Sequence, residues 1–248
     1  MLLKDKVALV TGGGAGIGRA IAKAYGARGA KVMVTDLNGD NAAKVAREIV
    51  ASGGTAASAR LDVTDREQQV AIVTQVEKQF GRLDIAANNA GITIPAARVG
   101  ELAYEQWAKV LHVDLDGVFY GVKAQLPAML RSGGGTIITI SSIAGKRGLW
   151  GMAPYSAAKH AVIGLMETIA WEYGKERIRT VSVGPAYIKT GLEDNIPEDI
   201  RKTLPGMHAL GRMGEPEEVA NAVAFLSSDE ASFITGSYVA LDGGYLAR

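Results

Sequence analysis

The chain has no cysteine. That excludes disulfides, thiolate metal sites and cysteine nucleophiles. Its three histidines, His112, His160 and His208, are scattered without metal-ligand spacing, so no metal site is predicted. Excess charge of one sign is missing too: 27 Lys and Arg against 26 Asp and Glu leave +1. A nucleic-acid or polybasic membrane partner would need more. No run approaches ~18 uncharged apolar residues, so no membrane span is predicted. Met1-Leu2-Leu3 meets Lys4-Asp5-Lys6 at once, with no apolar signal region behind a basic start, and the cytoplasm is the compartment expected.

Glycine, by contrast, is plentiful. It fills 31 of 248 positions, where an average chain carries about 7%. The surplus has no collagen period. Apolar residues, at 48%, are those of a globular chain. A single α/β domain of about 250 residues buries roughly three-quarters of its unfolded surface and needs no staples.

The pattern alternates. Short β-branched runs lie at Lys6–Thr11, Ala30–Asp36, Thr55–Asp62, Leu83–Asn88, Thr136–Ser141, Arg177–Val183 and Tyr238–Leu241. Helical periodicity fills Ile17–Arg28, Gly39–Ala51, Asp65–Phe80, Tyr104–Arg131 and Ala153–Gly174. Thr64-Asp65-Arg66-Glu67 reads as a capping box, and Pro216 opens a last helix, Glu217–Ser227. Nearly all-apolar strands with helices between them predict a doubly wound parallel sheet covered on both faces. No linker or repeat divides the chain, so residues 1–248 read as one domain. The rhythm breaks only at 191–214, rich in Pro and Gly, which reads as a substrate lid with a short helical patch near Glu198–Thr203.

The first strand runs into Thr11-Gly12-Gly13-Gly14-Ala15-Gly16-Ile17-Gly18 and then a helix. Such a turn lets backbone N–H groups and a helix N-terminus face a pyrophosphate, and side chains would block the approach. Gly12, Gly16, Ile17 and Gly18 are therefore cofactor-binding candidates. Asp36 ends the second strand, where a carboxylate accepts from both ribose hydroxyls of an adenosine and repels a 2′-phosphate. Neither Ala15 nor Leu37 offers a cation for such a phosphate. The preferred cofactor is thus NAD over NADP.

Further along, Ser141-Ser142-Ile143 precedes Pro154-Tyr155-Ser156-Ala157-Ala158-Lys159. Tyr155 and Lys159 share a helix face at i and i+4, and Ser142 ends a strand at the carboxyl edge of the sheet. Together with Asp62-Val63, Asn88-Asn89-Ala90-Gly91, the Pro185…Thr190 turn and Leu241-Asp242-Gly243-Gly244, these motifs resemble, in order and over essentially the whole chain, the short-chain dehydrogenase/reductase family. The resemblance implies a Rossmann-like, three-layer α/β/α domain with seven parallel strands, a nicotinamide cofactor and a homo-oligomer, a tetramer before a dimer. It implies Tyr155 as general acid/base, Lys159 lowering its pKa and bonding the nicotinamide ribose, and Ser142 binding the substrate oxygen. Asp62 and Val63 would flank the adenine. Asn89, Ala90 and Gly91 would back the adenosine ribose, and Pro185, Ile188 and Thr190 would hold the carboxamide.

Two positions depart from the family pattern. Asp114, in Val113-Asp114-Leu115-Asp116-Gly117-Val118-Phe119, stands where the family has an asparagine that keeps a helix irregularity beside the lysine, which leaves this fourth catalytic position open. Ala186 follows Pro185 where glycine is common. The pocket candidates, Ile94, Ile143, Leu149, Trp150, Met152, Tyr187, Leu192 and Met207, are bulky and mostly apolar. A hydrophobic or cyclic secondary alcohol or ketone fits them, although Lys146 and Arg147 stand in the same loop. Small residues at Ala157, Ala158, Ala161 and Gly164 suit close helix pairing between subunits. Three readings follow: an NAD-dependent dehydrogenase of secondary alcohols, a 3-oxoacyl thioester reductase, and a non-catalytic NAD-binding sensor.

Overall fold

In the computed structural model, residues 1–191 and 198–247 are described. One sheet holds seven parallel strands in the order β3-β2-β1-β4-β5-β6-β7. They are β1 Val7–Val10, β2 Lys31–Asp36, β3 Thr55–Arg60, β4 Ile85–Asn88, β5 Gly135–Ile140, β6 Ile178–Pro185 and β7 Ser237–Leu241. The order reverses between β1 and β4. Crossovers leave the sheet in opposite directions there, which opens a crevice at the carboxyl ends of the strands.

Strand alternation builds two cores. Ala8 and Val10 of β1 face one side, with Ile21 and Tyr25 of α1 (Gly16–Ala27), Val45 of α2 (Gly39–Ala51) and Val223 of α8 (Pro216–Leu226). Val7 and Leu9 face the other, with Ile72 of α3 (Arg66–Phe80), Val122 of α5 (Gly117–Ser132) and Val162 of α6 (Ala153–Tyr173). Each buried Val, Leu or Ile here contributes roughly 1.5–3 kcal/mol. That double coverage is the reason the strands are nearly all apolar. The Tyr25 hydroxyl joins α1 to α8 through Ser227 Oγ at 2.8 Å.

Two local expectations are corrected. The cap of α3 is Asp65, not Thr64: its carboxylate accepts from the Glu67 and Gln68 amides, and Gln68 Nε2 returns a bond at 2.7 Å. Thr64 sits one residue too early and donates to Asp62 instead. The long helix expected over Tyr104–Arg131 is two helices, α4 (Tyr104–Leu111) and α5, joined by a widened π turn at His112–Asp116. Beyond β6, Leu192 and the rest of 192–197 lie outside the described residues. The chain then forms a short α7 (Glu198–Arg201) and a tight turn at Pro205–Met207. Among the described residues no helix is long and apolar enough to cross a membrane.

Candidate active site

The glycine turn links β1 to α1. Gly12 and Gly16 have φ of +61° and +50°, which L side chains rarely adopt. Gly18 has a different reason: a Cβ there would overlap the Gly12 carbonyl and the Asn89 amide. α1 begins at Ala15 with no capping side chain and no acidic residue in its first turn. The N-termini of α2 and α3 are closed by Asn38 and Asp65. The α1 amides thus keep their capacity for an anion.

Asp36 stands at the rim of this turn. Its carboxylate accepts from the Gly14 and Asn38 amides, each at 2.9 Å. Leu37 beside it is exposed. Arg60, exposed and opposite Asp36 in the β2–β3 register, is a cation that the sequence reading did not weigh. Asp62 accepts from the amide and hydroxyl of Thr64, which hold its carboxyl below the usual range. Val63 packs against Gly117.

The loop after β4 braces the turn. Asn89 Nδ2 donates to the Thr11 and Gly12 carbonyls. The Asn89 and Ala90 amides donate to Thr11 Oγ1. Thr11 and the buried Asn88, whose amide pairs twice with Gln125, stand in the quoted motifs but were given no role from sequence. Their signal was weak, because amide pairing between β4 and α5 leaves no spacing within either element.

At the end of β5 two serines divide the work. The Ser141 hydroxyl donates to the Lys159 carbonyl at 2.8 Å and pins α6 to the sheet. Ser142 Oγ accepts from the Ala144 amide at 3.1 Å, which leaves its proton to donate elsewhere. The Tyr238 hydroxyl fixes the Ser142 carbonyl at 3.0 Å. Tyr155 and Lys159 lie in the first two turns of α6, with Lys159 Nζ 5.3 Å from the Tyr155 ring centre. The ammonium donates to the Ile140 carbonyl at 3.1 Å and faces Asp114 Oδ2 at 3.3 Å. Asp114, from the π turn, is fully buried, and its Oδ1 accepts from the Ile92 amide at 2.8 Å. The structure therefore brings Asp114, Tyr155 and Lys159 together.

Burial pushes the Asp114 carboxyl up, against the pull of Lys159 and the Ile92 amide. Burial also opposes the Lys159 ammonium, but Asp114 and then Tyr155 more than offset it, so its pKa rises. At 3.3 Å the two titrate as a unit, and the charged pair is the form in which each buried group keeps its partner.

The remaining candidates spread around this edge. Pro185 ends β6, Ile188 bridges Gly214, and a Cβ on Gly16 would sit 3.3 Å from Thr190. Gly91 lies against Asp114 and Lys159. Ile94, Met152 and Met207 are half-buried, Trp150 is 78% exposed, and Ile143 is packed inside the fold behind Ser142. Tyr187, His208 and Tyr245 form an edge-on aromatic cluster with centres 5.9–6.1 Å apart. Tyr187 and His208 line a cavity of about 250 Å³ with Ile188, Arg212 and Asp242. Lys146 and Arg147 lie over the rings of Tyr238 and Tyr245. Ala158 faces the core rather than the outer face of α6. Among the described residues no cluster of His, Asp or Glu could hold a metal.

A family profile described as enoyl-(acyl carrier protein) reductase matches residues 12–246. The chain is 44% identical to a cyclohexanol dehydrogenase of Acinetobacter sp. (strain SE19), over 98% of this chain and 96% of that one. It is 41% identical to a cis-4-hydroxycyclohexanecarboxylate dehydrogenase of Sinomonas cyclohexanicum, over 98% and 97%. A solved structure described as a putative NAD(P)-dependent gluconate 5-dehydrogenase of Beutenbergia cavernae, with NADP bound at low occupancy, superposes with a TM-score of 0.94. It is 35% identical and covers 99% of this chain and 98% of its own. With this sheet order, this glycine turn and these matches, the chain belongs to the short-chain dehydrogenase/reductase family, as an oxidoreductase of secondary alcohols and their ketones.

Proposed function

We propose that this oxidoreductase uses NAD and acts on a secondary alcohol or ketone carried by an apolar ring. The observation that carries the chemistry is the placement of the Lys159 ammonium 5.3 Å from the Tyr155 ring. Oxidising an alcohol requires a base for the hydroxyl proton. Tyrosine, at pKa ~10, needs roughly 3 units, or ~4 kcal/mol, to act near neutrality. A cation within ~4–6 Å supplies ~1–3 of them. Tyr155 as phenolate takes the hydroxyl proton, and as phenol returns it in ketone reduction. Ser142, with its proton uncommitted, donates to the substrate oxygen as charge develops there. A bound nicotinamide supplies the hydride acceptor.

The residues present fit that group. The uncapped α1 and the turn at Gly12, Gly16, Ile17 and Gly18 suit a pyrophosphate. Asp36 would take the ribose hydroxyls, Asp62 and Val63 the adenine, and Asn89, Ala90 and Gly91 the adenosine side. Pro185, Ile188 and Thr190 would take the carboxamide, and Lys159 the second ribose, beside Tyr155. The carboxylate at position 36 favours NAD.

Apolar Ile94, Met152, Tyr187 and Met207 and the names of the two cyclohexane-ring relatives support a cyclic substrate. Following NADH absorbance with cyclohexanol, 4-hydroxycyclohexanecarboxylate, a sugar and an acetoacetyl thioester tests this. Turnover of the ring alcohols is expected. The second reading, a 3-oxoacyl thioester reductase, is favoured by the profile's description and would be carried by faster thioester reduction with NADPH. Assembly into a homo-oligomer, a tetramer first, fits the outer face of α6. Gly164 there is open to solvent and Trp171 is 90% exposed. Loss of assembly in Gly164→Arg, read by sedimentation, is the expected result.

A further inference from the structure

Position 114 carries a carboxylate, and the fold seals it against the lysine. Asp114 is wholly buried and Lys159 is 3% exposed. Asp114 Oδ1 is committed to the Ile92 amide, while Oδ2 has no hydrogen-bond partner among the described residues and faces Lys159 Nζ at 3.3 Å. Gly91 leaves the space between them open: a Cβ there would stand 3.1 Å from Oδ2 and 3.3 Å from Nζ. The widened turn at His112–Asp116 aims the carboxylate inward. The contact is therefore a direct ion pair, and Gly91 brings no side chain against it.

We propose that Asp114 is a positioning residue acting through Lys159: it fixes the ammonium beside Tyr155 and cancels part of its field, so that Tyr155 gives up its proton at a higher pH than the lysine alone would impose. This rests on the assignment of Tyr155 as the base. The ionisable groups around Asp114 allow the effect to be isolated. α6 presents Lys159 and Tyr155. The loop after β4 presents only the Ile92 amide, and the end of β5 only the Ile140 carbonyl. On its own turn, His112 and Asp116 pair with each other at 3.2 Å on the half-exposed side. A lone cation at this range lowers a neighbouring acid by ~1–3 units, and a buried anion against it removes a share of that. Enzyme with a neutral residue at 114 gains a stronger field at Tyr155.

The test is the pH profile of ring-alcohol oxidation in Asp114→Asn, which keeps the side-chain shape, and in Asp114→Ser. The rising limb of kcat/KM is expected to move about one unit toward acid in both variants. A second measurement needs no turnover: ultraviolet difference titration of tyrosinate in the cofactor-free protein, with Tyr155→Phe as the blank for each background. The Tyr155 signal should move in the same direction. A limb and a tyrosinate signal that both stay in place overturn the proposal, as does a shift toward alkali. If neither variant folds, the carboxylate is structural and the proposal falls. Wild-type activity in Tyr155→Phe would instead sink the assignment of the base, while the tyrosinate titration still decides whether Asp114 sets the field there.

Discussion

The side-chain amide of Asn89 donates to the Gly12 carbonyl at 3.0 Å. The loop leaving β4 thereby holds the turn leaving β1, across the point where the strand order reverses. A residue expected to back a ribose also props up the backbone that would face the pyrophosphate. Asn89→Ala removes this bond and its partner to Thr11, and should cost about 1–2 kcal/mol in chemical denaturation. It should also raise the Kd for NADH several-fold by fluorescence titration. An unchanged Kd would separate the loop from the cofactor.

Tyr155→Phe removes the acid/base group and leaves the packing of α6 in place. A fall in kcat of about 10²–10⁴ is expected, with NADH binding retained. Ser142→Ala should also cut kcat, because it deletes the donor aimed at the developing charge. Near-normal kcat in Tyr155→Phe would refute the mechanism.

Asp36→Ala combined with Leu37→Arg should swing the NAD/NADP ratio of kcat/KM toward NADP. Arg60, facing Asp36 in register, adds a second cation once the carboxylate is gone. Asp36→Ala alone should therefore already relax the preference, and Arg60→Ala should reverse that gain. A ratio unmoved by the double variant would remove Asp36 from the ribose site.

Tyr238 gives a pH-dependent prediction. Burial, with Asp242 adding, pushes its hydroxyl up to about 12. The unfolded chain ionises this group near ~10, so the folded state holds more protons between those values. The stability it contributes is therefore complete below about 10 and declines as pH rises toward 12. Thermal melts across that window should show a shallower alkaline decline in Tyr238→Phe. Tyr25, pushed up by burial as well, maintains the remaining slope.

Much of the architecture was legible because it is local. Strand and helix periods reported the seven strands and the helices outside 104–131 to within a few residues, and Pro216 marked the start of α8 correctly. The failures are equally physical. Thr64 and Asp65 are both capping residues, and only the path of the chain out of β3 chose Asp65. One additional residue at His112–Asp116 barely disturbs a helical period, so periodicity hid the π turn inside one long helix, and only the family resemblance pointed to an irregularity at position 114. His208 carries no spacing signal in the sequence, yet it reaches the cavity beside Tyr187. The structure buries it edge-on against Tyr187 and Tyr245, with Nδ1 on the Leu204 carbonyl. The triplet Gly133-Gly134-Gly135 has no period of its own, and Gly135 already belongs to β5. Its last two residues have no room for a Cβ against Arg177, Asp84 and Met129.

By itself the sequence determined the class of fold, the glycine turn and the pairing of Tyr155 with Lys159, since each is set by spacing within one element or one turn. Tertiary structure decided which of two adjacent serines keeps a free proton, and that Asp114 meets Lys159 as an ion pair. Those outcomes depend on how separate elements close on one another. Burial then makes them consequential, because a charge or donor shut away from water must take the partner the fold provides.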